Sequence, residues 1–329
     1  MKTILNYLYE NKTLNKTEAQ EVLTNIASGK YNEAQIASFL TVFIMRGITV
    51  EELEGFRDTM LNLCVPIDLS EYDAIDLCGT GGDSKDTFNI STLAAFVTAG
   101  AGIKVAKHGN YGVSSVSGSS NVIEYFGGKF TNNIDYLKHK IETANICFLH
   151  APLFHPAMKY VAPVRKAMGV KTFFNMLGPM VNPANVQRQL IGVFSLELAR
   201  LYGYLYQQSK KKFVIVHSLD GYDEISLTSA TKIITNNTEK LIEPSDLSFK
   251  KLKQTDLAGG KTVKEAAKIF ECILKGEGTT EQNNVVIANA AMAISVGKDN
   301  IDFNEAKAMA TQSLLNGNAF ASFKKFVEP

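Results

Sequence analysis

The chain changes its hydrophobic rhythm once. Up to residue 65 the apolar positions recur at helical spacing, as at Ile36, Phe39, Leu40 and Phe43, which would form one buried stripe. Three helix starts carry the capping-box spacing, Asn15 with Glu18, Asn32 with Gln35 and Thr49 with Glu52, and Gly29, Gly47 and Pro66 supply the matching stops. Beyond Pro66 the apolar runs shorten to strand length, at 74–78, 103–109, 145–150, 189–194 and 212–218. Helical stretches separate them at 91–101, 133–143, 156–168 and 196–208. Such alternation predicts a mostly parallel sheet flanked by helices, with ligands at the carboxyl ends of the strands. The stretch 234–249 is polar and irregular and reads as a strand plus a loop; 262–316 returns to helices that would cover the sheet. The expected fold is therefore α/β: a small N-terminal helical domain over 1–68 and a large α/β domain over 69–329.

Composition narrows the function more than the fold. The 329 residues are 45% hydrophobic, and 34 basic against 33 acidic side chains leave a net charge of +1. That balance gives no polyelectrolyte footprint for nucleic acid or an anionic membrane, so an anionic substrate must be held by a local site. Cys64, Cys78, Cys147 and Cys272 are scattered without a C-x-x-C pair, and the first residues lack the apolar core of a signal peptide. The expectation is a reduced, soluble, cytoplasmic protein.

Four stretches carry chemistry. In "DLCGTGGDSKDTFNIST", 76–92, a strand runs into Gly79, Gly81 and Gly82, whose missing Cβ atoms let backbone N–H groups approach an anion. Asn89, Ser91 and Thr92 follow at a helix start, where free N–H groups and the dipole favour phosphate. The loop is neither of the two common nucleotide loops, and no lysine stands in the position a Walker loop requires. Taken alone it is equally a turn with Ser91 as an N-cap. The second stretch, "KHGNYGVSSVSGSS" at 107–120, also follows a strand; it supplies Lys107 and five serines. Two such loops on neighbouring β/α units make coincidence a poor explanation, because both would face one crevice. In "DGYDEIS", 220–226, Asp223 and Glu224 form an adjacent carboxylate pair that suits Mg²⁺ beside phosphate oxygens, although an isolated pair is usually a solvated turn. Lastly, Arg165 precedes the turn Gly178-Pro179 and has the fork geometry for a carboxylate; a surface ion pair is the plainer alternative. Cys147, His150 and His155 lie close in sequence but lack a fourth ligand and a recognised zinc spacing.

In this order, "GTGGD" at 79–83, "NIST" at 89–92, "KHGN" at 107–110 with its serines, "VRKAMGVKTFFNMLGPMVNP" and "DGYDE" resemble the anthranilate phosphoribosyltransferases of tryptophan biosynthesis, over nearly the whole chain. The resemblance implies transfer of the phosphoribosyl group of 5-phosphoribosyl 1-diphosphate (PRPP) to the amino group of anthranilate, with Mg²⁺ as cofactor. It implies a fold like that of the pyrimidine nucleoside phosphorylases, a homodimer through the helical domains, and packing of roughly 160–190 against the helical domain. PRPP would meet Gly79, Thr80, Gly81, Gly82, Asp83, Thr87, Asn89, Ser91, Thr92, Lys107, Ser115 and Ser119. Anthranilate would meet Gly79, His108, Asn110, His155, Arg165, Gly178 and Pro179, while Ser91, Asp223 and Glu224 would hold the metal. No protein nucleophile is implied. The chain departs from the family at Tyr111, where arginine is frequent, and more mildly at Lys171. Two rival readings are a pyrimidine nucleoside phosphorylase, against which "GTGGDSKDTFNIST" with "DGYDE" weighs, and a non-catalytic, nucleic-acid-binding relative, against which the near-neutral charge and the intact Asp223, Glu224 and Arg165 weigh.

Overall fold

The structure, a computed structural model, describes residues 1–112 and 116–328. It opens with four helices, Lys2–Tyr9, Lys16–Ala27, Glu33–Arg46 and Val50–Asn62. All three expected capping boxes close reciprocally, each satisfying two otherwise unpaired N–H groups. Glu52 goes further: fully buried, it accepts from Arg46 Nη2 at 2.5 Å and from the Leu14 amide at 2.9 Å, tying three segments together. The predicted stripe is buried, and Phe39, Phe43 and Phe56 surround Phe173 from a later part of the chain, with Phe56 and Phe173 stacked at 4.3 Å. Ala157, Val161, Val164, Leu177 and Met180 join the same core, so the crossover of about 155–182 packs on the helices.

The seven strands are β1 Ile75–Gly79, β2 Val105–Gly109, β3 Ile146–His150, β4 Arg188–Gly192, β5 Lys212–Ser218, β6 Thr231–Thr235 and β7 Glu239–Ile242. They lie in the order β3-β2-β1-β4-β5-β6-β7, parallel from β3 to β5 and antiparallel thereafter. One face packs against the core shared with the helical bundle and helix Leu196–Gln207. The other is covered by Ile90–Gly100 and by four C-terminal helices, Val263–Leu274, Thr280–Gly297, Phe303–Leu315 and Asn318–Val327. The stretch 234–249 does hold a strand and a loop; the strand not expected is β6, most of which lies before it and which forms a hairpin with the edge strand β7. Its Glu239, Lys240 and Leu241 are exposed, so it lacks the apolar alternation that marks a half-buried strand. The helical stretch 156–168 is a 3₁₀ turn, Pro156–Tyr160, followed by a helix, Ala162–Met168, with Pro156 and Pro163 each in a first turn. No helix among the described residues is long and apolar enough to cross a membrane.

Strand order reverses at β1, which feeds β2 on one side and pairs with β4 on the other. At such a switch point the connections leaving adjacent strands diverge and leave a crevice at their carboxyl ends. Both glycine- and serine-rich loops issue there.

Candidate active site

A cleft of about 290 Å³ occupies that crevice. One wall is the loop after β1, where Gly81 and Gly82 take φ of 62° and 75° and so turn successive amides inward. Helix Ile90–Gly100 then starts with Asn89 as its cap residue, but the Asn89 side chain reaches the second loop instead, donating to Ser117 O at 2.9 Å. The other wall starts at the end of β2. Lys107, 2% exposed, donates to Leu77 O at 2.5 Å, and His108 Nδ1 lies 3.0 Å from Gly178 O. Burial and the neighbouring His155 push His108 down to about 3, so its ring is neutral and donates from Nδ1 to that carbonyl.

The carboxylate pair closes the floor. Asp223 Oδ2 accepts from the Gly81 amide at 2.7 Å, and Glu224 Oε1 from the Ser91 amide at 3.0 Å, at the positive end of the helix. Their loop is pinned by Ser218 Oγ donating to Glu224 O and by Asn289 bonding both the amide and the carbonyl of Ile225. Burial raises both carboxyls, Asp223 to about 7 and Glu224 well above its usual range; repulsion from Asp83 adds to both, and that from Asp223 adds to Glu224. The two carboxylates, with no side-chain cation hydrogen-bonded to them among the described residues, offer hard oxygen ligands that suit a divalent ion such as Mg²⁺. A group of three or more His, Cys, Asp or Glu able to hold a metal does not occur among the described residues, so phosphate and water oxygens would have to complete the shell.

Arg165 comes from the helix Ala162–Met168, on the crossover that packs against the bundle. Its Nη2 donates to Asn175 Oδ1 at 3.1 Å and its guanidinium lies 5.5 Å over the Phe174 ring. These contacts hold a half-buried fork at the rim while Nε has no partner. Lys171 crosses the cleft mouth to bond Gly82 O.

Of the residues singled out from the sequence, the cleft collects Gly79 to Asp83, Thr87, Asn89, Ser91, Thr92, Lys107, His108, Asn110, Ser119, Arg165, Gly178, Asp223 and Glu224. His155 and Pro179 sit one layer behind: the His155 ring stands 5.3 Å from His108, and Pro179 O accepts from Gln189. Ser115 lies outside the described residues. Tyr111 lines the cleft edge, donating to Glu124 and packing on His150, so it anchors its loop to helix Ser119–Tyr125 and the end of β3. His150 is bound to Ser120, away from any zinc arrangement. Sequence reasoning missed Asn175 and Phe174, which aim Arg165, Asn289, which pins the acidic loop, and Gly192. A Cβ on Gly192 would stand 1.6 Å from Asp223 O. None carries a signal beyond its own residue type.

Comparison with known proteins agrees with this geometry. The glycosyl transferase family helical bundle domain matches residues 2–64, and the family's a/b domain matches 71–320. An anthranilate phosphoribosyltransferase of Christiangramia forsetii is 62% identical over 99% of this chain and 98% of its own. The chain belongs to the anthranilate phosphoribosyltransferase family. A second family member, from Flavobacterium psychrophilum, is 61% identical over 99% of the chain and 98% of its own. Among solved structures, the Thermus thermophilus enzyme superposes with a TM-score of 0.91 at 30% identity, covering 98% of each chain. The Saccharomyces cerevisiae enzyme in complex with PRPP and Mg does so at 0.89 and 28% identity, covering 99% of this chain and 97% of its own.

Proposed function

We propose that the enzyme transfers the phosphoribosyl group of PRPP to the amino group of anthranilate, giving N-(5-phosphoribosyl)anthranilate and diphosphate. The observation that carries the reading is the convergence of two anion-binding loops, a carboxylate pair and a held arginine on one cleft at the strand switch point. The matched relatives favour it over the phosphorylase and nucleic-acid-binding alternatives.

The Gly82 amide, the hydroxyls of Ser91, Thr92 and Ser119, and Lys107 bind the diphosphate and the ribose phosphate, while the Gly81 amide stays on Asp223. Ser91, Asp223 and Glu224 would hold Mg²⁺, which would supply positive charge to offset that of the leaving diphosphate. Arg165 takes the anthranilate carboxylate by its fork, beside Asn110 and the Gly178 turn, and so aims the amine at C1 of the ribose. Departure of diphosphate leaves oxocarbenium character at C1, and the amine lone pair forms the new C–N bond as the C–O bond breaks. The aromatic amine is already neutral near pH 7, so no general base precedes attack; the ammonium proton then leaves to water or the substrate's own carboxylate. The protein's contribution is position and a preorganised field. His108, held neutral, orients rather than ionises.

Residues 1–68 and the crossover of about 160–190 form the unit that carries anthranilate, and exposed Tyr9, Ile44 and Met45 on its helices support a homodimer through it. Four free cysteines suit a reducing cytoplasm. The test is loss of anthranilate fluorescence when the purified protein meets PRPP, dependent on Mg²⁺. No loss at saturating substrates sinks the transferase reading.

A further inference from the structure

β1 and β2 are paired at a single position, Ile75 with Val105, whereas β2 with β3 and β1 with β4 each run through five pairs. Past that position the two strands are joined by side chains. Asp76 Oδ1, from β1, accepts from the His108 amide of β2 at 3.0 Å. Lys107 Nζ, from β2, donates to Leu77 O of β1 at 2.5 Å. A continued backbone ladder would hold the strands about 4.8 Å apart and leave no room between the loops that follow. The two side-chain bridges lie directly below the point where those loops part to form the cleft.

Asp76 is an odd tenant for this place. It is fully buried in an inner strand of a parallel sheet, where apolar residues such as its neighbours Ile75 and Leu77 are the norm. Among the described residues its Oδ2 accepts no well-aligned hydrogen bond, with only the Asn182 amide and the Lys107 ammonium near enough to offset the burial of its charge, which costs stability. The polar side chain opposite, Gln189, is turned elsewhere, donating to Pro179 O at 2.8 Å. A group retained against its cost in a core is expected where function requires it.

We infer that Asp76 is a positioning residue for the PRPP half of the site: its carboxylate keeps β1 and β2 apart and fixes the backbone from which Lys107 and the second loop project. This rests on the transferase reading above. Asp76 does not line the cleft and acts through the His108 amide and the neighbouring Lys107 ammonium. The acceptor oxygen holds the His108 amide, and an asparagine keeps that bond while giving up the charge beside Lys107.

The test compares Asp76→Ala and Asp76→Asn in the anthranilate fluorescence assay, with melting curves to establish that each is folded. Asp76→Ala is expected to raise the KM for PRPP about tenfold or more, as loss of a buried amide's acceptor would. The KM for anthranilate should move far less, and Asp76→Asn should recover most of the loss. Should Asp76→Ala not fold, Asp76→Ser, whose hydroxyl falls short of the His108 amide, takes its place. An unchanged PRPP KM in the folded truncation, an equal rise in both KM values, or an asparagine variant as impaired as the truncation would each overturn the inference. Wild-type turnover in the same assay separately tests the transferase reading.

Discussion

Replacing Gly192 by alanine adds one methyl group, and the fold leaves no space for it. The new Cβ would lie 1.6 Å from Asp223 O and 2.7 Å from Asp223 C. Non-bonded contact needs about 3.2–3.5 Å, so strand and loop must separate by roughly 1.5 Å or more. The strand cannot supply that shift cheaply. Gly192 is paired with Gly79 on one side and Val216 on the other, and its carbonyl accepts from the Thr80 amide at 2.9 Å. The loop therefore moves, carrying Asp223 and Glu224, and strains the Asn289 and Ser218 bonds that pin it. Overpacking of this kind costs about 1–3 kcal/mol of stability. Misplacing a site by about 1 Å costs on the order of 100-fold in rate, or about 2.7 kcal/mol at the transition state. Gly192→Ala is thus expected to fold with a lowered melting temperature and to lose about 100-fold in kcat/KM. The Mg²⁺ concentration for half-maximal rate should rise as well, because the displaced groups are the proposed metal ligands. The measurement is the fluorescence assay at several Mg²⁺ concentrations, beside thermal unfolding. A variant within about threefold of wild type at every concentration would refute the argument that strand contact sets the carboxylates in place.

Three further outcomes are expected. Arg165→Ala should raise the KM for anthranilate by about 10- to 100-fold and leave that for PRPP nearly unchanged, since a charged hydrogen bond is worth about 1.5–3 kcal/mol; equal effects would remove Arg165 from the anthranilate side. In the metal-free protein the Asp223 carboxyl is held at about 7 against an ordinary 3.8, so the folded state binds the extra proton between those values. Stability must then fall as pH rises through that window, and Asp223→Asn should make the fall in melting temperature shallower; an identical slope in the variant would show that Asp223 is not its source. Arg188, at the opposite end of β4, donates to Asp73, to both oxygens of Asp299 and to Val296 O. Arg188→Met should cost about 1 kcal/mol, discounted because both aspartates are largely exposed, while leaving kcat/KM intact; a loss of activity without loss of stability would contradict that placement.

The sequence was most legible where one residue type has one physical use. Capping boxes at Asn15, Asn32 and Thr49 and the apolar runs of β1 to β5 sit where local chemistry allows few alternatives. β6 was not read as a strand because Thr231 and Lys232 open it and only Ile233 and Ile234 supply an apolar run. In the site, the glycines, Lys107, Asp223 and Arg165 were readable as donors, acceptors and charges. What could not be read was their support. Asn289, Asn175 and Gly192 act through contacts across 64, 10 and 31 positions of chain, and nothing local distinguishes them from any other asparagine or glycine.

The packing also divides the site in a way that sequence order conceals. The loops proposed to bind PRPP rise from β1 and β2, and the helix that opens between them, Ile90–Gly100, packs its apolar residues into the core on the far face of the sheet while Ser91 and Thr92 face the cleft. Arg165 and Asn175 ride on a crossover whose Val164, Phe173 and Phe174 are buried with the helical bundle. The two proposed substrates therefore meet groups fixed to different cores, joined across the mouth by Lys171 on Gly82 O and across the floor by His108 on Gly178 O. Both links end on backbone carbonyls, so neither depends on the charge of its acceptor, and each fixes distance rather than sequence-specific recognition. The gap between amine and C1 is accordingly set by how the crossover seats on the bundle. A packing change at Phe56 or Phe173, remote from either substrate, would reach the reaction through that seat, as a change in alignment more than in binding.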